Sequence, residues 1–220
     1  PAATDMNGSD PLSLIVLVAM LSVVPLLAVV GTAFLKISTV MLLVRNALGV
    51  QQVPPNIALY GLSLILSLYV MAPVAQEVVD RLRDEKAPLT SVGAMVRAAE
   101  VGAQPMREFL IKFSKPEQRA FFLQATQKMW PPEQAEKASD TDFMILLPAF
   151  VVGELTSAFE IGFLLYLPFV VIDLIVSNVL LALGMMMVSP STISLPLKLF
   201  LFVMVDGWTM LLHGLVLSYA

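Results

Sequence analysis

The sequence contains no cysteine. That removes disulfides, thiolate metal sites, iron–sulfur clusters and cysteine nucleophiles. Histidine is almost as scarce: His213 is the only one, and in an apolar run it reads as a packed core residue rather than a ligand or base. No HExxH, GxSxG or GxGD pattern occurs, and no hydroxyl is paired with a base, so enzyme chemistry is not indicated. Charge is the third shortage. Only 14% of the 220 residues are charged, against about a quarter in ordinary soluble domains. Base is in deficit as well, with 13 Lys+Arg against 17 Asp+Glu and a net charge of -4, which disfavours nucleic-acid binding. There is no nucleotide loop, no metal-ligand spacing and no internal repeat, so neither a metal nor a cofactor is expected.

What the chain has instead is apolar length. Hydrophobic residues make up 58% of it and the mean hydropathy is +0.84. Such a chain belongs in lipid or against other apolar subunits. Charge is also segregated: residues 76–142 hold 10 of the 13 bases and 11 of the 17 acids. The order is therefore a polar tail (1–10), an apolar helical hairpin (11–75), a polar helical insert (76–142) and a second apolar hairpin with a Met-rich turn (143–220). The expected fold class is all-α, with long kinked helices of integral-membrane type. The tail has no Lys or Arg before the first apolar run, which argues against a secretory signal peptide.

Leu12 to Val30 is 19 residues without charge, enough to cross a bilayer core, with Pro25 as an expected kink. Gly49 and the following QQVPPN should stop the continuation of that region, with Asn56 capping the next helix. Ile57 to Ala75 is a second charge-free run, with Pro73 near its end. In the insert, Met106, Phe109, Leu110 and Phe113 form one apolar stripe at helical spacing. The region 143–188 is too long for one straight crossing and should be a bent helix or a hairpin. The short connections carrying Lys36 and Arg45, and Lys198, hold no acid. The positive-inside rule would make them cytoplasmic and put the tail, insert and C-terminus on the periplasmic side.

Seven charges stand in apolar surroundings: Lys36, Arg45, Glu154, Glu160, Asp173, Lys198 and Asp206. An acid at a bilayer centre costs roughly 2.5–3.5 kcal/mol, so these must face protein or water. They read as a structural ion-pair set or as an ion path. At about 100° per residue, Glu154 and Glu160 lie about 120° apart and Asp173 about 100° from Glu154, so no single stripe holds all three. That favours structural pairing. The tract Met185-Met186-Met187, between Gly184 and Ser189-Pro190, is the oddest local feature. Three consecutive methionines cannot share one packing face of a helix. Flexible, uncharged side chains at a turn suit a soft seal; core filler is the plainer alternative.

Four stretches together resemble a known family: GTAFLKISTVMLLVRNALGVQQVPPN (31–56), YGLSLILSLYVMAP (60–73), LLPAFVVGELTSAFEIGFLLYLPFVVIDLIVSNVLLALGMMMVSP (146–190) and ISLPLKLFLFVMVDGW (193–208). They are similar to the R subunit of the type III secretion export apparatus, SctR in injectisomes and FliP in flagella. QQVPPN and LYVMAP look more like the injectisome branch. The resemblance implies a homo-pentamer that assembles as a ring. With the S and T subunits it forms an inner-membrane entry portal for unfolded export substrates. It implies a switch (U) subunit and the base of the inner rod and needle as further partners. It also implies that much of the complex sits on the periplasmic side, and that Met185, Met186 and Met187 form a gasket around the closed pore. No catalysis is implied. Two other readings stay open from the residues alone: a small secondary transporter using Glu154, Glu160 or Asp173, and an assembly scaffold that does not line the pore.

Overall fold

The computed structural model describes residues 11–50, 52–84 and 92–220. The polar tail 1–10 lies outside the described residues. Among those described, every regular element is an α-helix: α1 Pro11–Val30, α2 Phe34–Leu48, α3 Asn56–Asp84, α4 Val92–Phe113, α5 Pro116–Met129, α6 Pro132–Ala135, α7 Phe143–Ala182, α8 Pro190–Met204 and α9 Gly207–Leu217. The all-α class expected from composition is the one observed. The helices form two compact units whose boundaries run through the α1–α2 turn, α3 and α7. One comprises residues up to Thr32 with Met71–Gly153, the other Ala33–Val70 with Glu154–Ala220.

In the first unit α1 packs on α4. The chain leaves α1 at Gly31, where a Cβ would lie 2.9 Å from the Leu27 carbonyl oxygen and 3.0 Å from the Met106 methyl. Only glycine permits that approach. The stripe read from the insert lies on α4, and Phe109 and Leu110 are its buried members. Phe109 packs on Phe113 and on Phe150 of α7, with ring centroids 4.9 and 5.8 Å apart. Ile145, Leu146 and Ala149 complete this core. The polar face of the unit is tied by Arg81, which donates to Glu77 and, at 3.0 Å, to Glu108.

The second unit is built around α2. Ile37, Val40, Met41, Val44, Ala47 and Leu48 form one buried face at three-and-four spacing, and Lys36 and Ser38 are buried beside it, so neighbours cover most of the helix. Gly162 of α7 admits Leu43, whose Cδ1 would lie 2.4 Å from a Cβ there. On α3, the buried face in this unit is Leu59, Ser63 and Ser67, and the Ser63 hydroxyl donates to the Leu59 carbonyl at 2.8 Å. α2 stops at Gly49, which adopts φ +77° and returns its N–H to Asn46. Arg45 then closes the PPN turn, donating to the Pro54 carbonyl and to Asn56 Oδ1. At the start of α3 the Pro55 carbonyl, not the Asn56 side chain, accepts the first N–H groups.

Long apolar surfaces stay uncovered. Ile65 and Tyr69 on α3, Phe163 and Leu164 on α7, and Phe200 and Val203 on α8 are all well exposed within this chain. Among the described residues α3 and α7 are each long and apolar enough to cross a membrane. The pair α8 and α9, bent by 60°, passes the same test as one broken span. Surfaces of this kind require lipid or other subunits against them.

Candidate functional site

The methionine tract occupies the seven-residue turn joining α7 to α8. Gly184 ends α7 with φ +74°, a conformation β-carbons disfavour. Its N–H bonds to the Leu181 carbonyl, and the Met185 N–H bonds to the Leu180 carbonyl at 2.9 Å. That crossed pair terminates the helix as a Schellman motif. On the far side Pro190 starts α8, where its missing N–H costs nothing. The Ser189 and Ser191 hydroxyls meet at 2.7 Å there. Between these stops Met185, Met186 and Met187 are 44%, 81% and 101% exposed. They are presented outward, not packed into the core of this chain.

Below the turn α7 and α8 run back along each other. Phe169 meets Phe202 at 6.3 Å. Lys198 Nζ donates to Asp173 Oδ2 at 2.6 Å and to the Ala47 carbonyl, in the last turn of α2, at 3.4 Å. The lysine is buried, while the aspartate is partly exposed. By helix rise, the pair lies about 12–15 Å from the turn along either arm. One cation thus joins α7 and α8 and satisfies a carbonyl at the C-terminal, negative end of α2.

A second buried charge cluster joins α2 to α7. Lys36 Nζ donates to Glu154 Oε1 at 3.4 Å, with both side chains almost fully buried. The Tyr219 hydroxyl donates to Glu154 Oε2, and the Lys36 ammonium lies 3.8 Å from the centroid of the Tyr219 ring. Burial pulls the Lys36 ammonium below its ordinary value, opposed by the charge and hydrogen bond of Glu154. Burial pushes the Tyr219 phenol upward, as does the neighbouring carboxylate.

The remaining charges singled out in the sequence go elsewhere. Arg45 holds backbone and amide oxygens at the PPN turn. Glu160 is on an exposed face of α7. Asp206 lies in the α8–α9 turn with φ +52° and accepts from the Thr209 hydroxyl at 2.9 Å. His213 is exposed within the chain, not packed. Among the described residues no three His, Asp or Glu side chains gather as a metal would need. The VDGW motif also has a local reason. A Cβ at Gly207 would lie 2.4 Å from the Phe202 ring, and that ring takes Trp208 edge-on at 5.4 Å. Sequence reading missed Tyr219, because no spacing rule joins it to a lysine and a glutamate so far away in the chain.

The family model described as FliP family matches residues 17–215. The chain belongs to the FliP family. "Yop proteins translocation protein R" of Yersinia pestis is 52% identical over 210 residues, covering 96% of this chain and 97% of its own. "Hypersensitivity response secretion protein HrcR" of Ralstonia nicotianae is 46% identical over 216 residues, covering 97% and 100%. "Virulence protein YscR" of Salmonella typhimurium is 47% identical over 214 residues, covering 96% and 98%. Within the FliP family the chain is a type III secretion R subunit of the injectisome type. It is a membrane-type component of a secretion apparatus.

Proposed function

We propose that this FliP-family chain is a structural and gating subunit of the type III export apparatus, without catalysis of its own. Five copies form a ring which, with the S and T subunits, makes the entry portal for unfolded substrates at the bacterial inner membrane. The switch subunit and the base of the inner rod and needle are its further partners. The methionine turn is the seal. The single observation that carries this is the presentation of Met185, Met186 and Met187 outward on a turn stopped by Gly184 and Pro190, above two anchored arms.

The chemistry suits the task. A pore for an unfolded chain must open to peptide width yet hold back ions when idle. A polar lining would stay wet, whereas an apolar constriction gates by dewetting. Methionine is apolar, unbranched and adaptable, so it closes around varied side chains and relaxes afterwards. The carboxylates most exposed to desolvation already have lysine partners, which favours the structural reading of the charges over an ion path. The test is a photo-reactive residue at Met186 in complexes holding a stalled export substrate. Cross-linking to substrate supports a pore-lining gate. Cross-linking only to other apparatus subunits would make the chain a scaffold beside the pore.

A further inference from the structure

We infer that α9 is a hinged arm held shut by Tyr219, and that release of this latch lets α8 and α9 straighten into one continuous apolar helix. Two independent features of the second unit carry this: a break at one end of α9 and a built receptor at the other.

The break lies at Val205–Gly207. Asp206 adopts φ +52° and the axes of α8 and α9 diverge by 60°. The flanking sequence is apolar on both sides, and the two helices taken together are long and apolar enough to span a membrane. Nothing in the composition of Pro190–Leu217 demands a bend. An aspartate and a glycine at the break make a left-handed turn tolerable, but they do not enforce it. At the break itself Thr209 donates to Asp206, and the Phe202 ring packs on Gly207 and Trp208; a contact at the far end of α9 adds the long lever that keeps the arm folded back.

Tyr219 supplies that contact. The residue follows α9 and is 8% exposed. Its hydroxyl donates to Glu154 of α7, and its ring face covers the Lys36 ammonium of α2 at 3.8 Å. A carboxylate and an ammonium held 3.4 Å apart inside an apolar core form a receptor for a phenol: one member accepts the O–H, the other the π-face. Leu211 and Leu215, buried on the same arm, add apolar contact but no direction. With Tyr219 seated, α9 is fixed at both ends and the bend is held. With it withdrawn, the arm is free to turn about Asp206–Gly207, and the uninterrupted helix becomes available to lipid. The latch thus selects between a folded-back arm and a spanning helix.

The absence of cysteine makes the test direct. Spin labels at Leu197→Cys and Leu217→Cys, both well exposed, report the α8–α9 distance in the full chain extracted in detergent. A continuous helix would place those backbones about 30 Å apart, and a 60° bend about 25 Å. The latched chain should give the shorter distance, Tyr219→Ala the longer one, and Tyr219→Phe a mixture, since it keeps the ring and loses the O–H. In parallel, single cysteines at Leu215 on the arm and Val40 in the α2 core report thiol reactivity. Tyr219→Ala should raise reactivity at Leu215→Cys about tenfold or more and leave Val40→Cys protected. An unchanged label distance in Tyr219→Ala would overturn the latch. So would equal loss of protection at both cysteines, which would make Tyr219 ordinary core packing whose removal unfolds the unit.

Discussion

Lys36 and Glu154 meet at 3.4 Å with only 6% and 4% of their side chains exposed. Two charges taken that far from water are kept because each has the other, and because Tyr219 occupies the second carboxylate oxygen. Removing one partner leaves the other uncompensated. Lys36→Ala or Glu154→Ala should therefore destabilise the chain by about 3–5 kcal/mol, whereas the joint apolar replacement Lys36→Met with Glu154→Leu should recover most of that loss. Thermal melting of the four chains checks the cycle, and additive losses in the double variant would contradict the pairing. Asp173→Ala should cost less, about 1–3 kcal/mol, because Asp173 is partly exposed and Lys198 keeps the Ala47 carbonyl. Melting and the yield of assembled complex read this outcome; a loss as large as that of Glu154→Ala would contradict it. The sequence shows that such charges need partners, because their apolar surroundings are visible in it. It does not show which partner, because Lys36 and Glu154 stand 118 residues apart and the pairing exists only after the helices pack.

At the scale of the element, two glycines in the same region make opposite predictions. Gly207→Ala forces a methyl into the Phe202 ring, and a flat ring held by Phe169 and Trp208 cannot simply rotate away. Overpacking of that kind should cost about 1–3 kcal/mol. Gly214, inside α9, has nothing within 4 Å of the same added carbon, so Gly214→Ala should stabilise the chain by about 0.5–1 kcal/mol through helix propensity. Melting curves of both variants decide it, and a neutral Gly207→Ala would remove the packing account of the VDGW motif. Element ends were legible wherever a residue acts locally: Gly49, the paired prolines and the Met-rich turn all mark real breaks, whereas the break at Gly31 was not read from the sequence. Prolines inside the apolar runs do not end the helices. α3 runs through Pro73 to Asp84, and α7 continues through Pro148 and Pro168 as one helix of 40 residues. In both, each proline removes one backbone hydrogen bond and the helix continues on either side of it. The 60° break between α8 and α9, by contrast, has no proline in it.

For the whole molecule, the all-α class and the family were legible from composition and motifs, while the grouping into two units was not, since two of its three boundaries fall inside continuous helices. The expectation that the insert lies on the periplasmic side took Lys36, Arg45 and Lys198 as parts of short connections, whereas they lie within α2 and α8, so it is put to a direct test. A cysteine at Gln127, exposed on α5, should react with an impermeant thiol reagent in intact cells; labelling only after lysis would reverse the orientation. The central claim is that the turn carrying Met185, Met186 and Met187 seals a pore while the charges beneath it hold the arms. These methionines make little contact within the chain, so shortening them should leave folding and assembly intact. The direct measurement is resting ion conductance of membranes containing the assembled apparatus with all three methionines replaced by alanine. Resting conductance should rise while complex yield stays normal. Normal resting conductance in a correctly assembled triple variant would place the seal elsewhere.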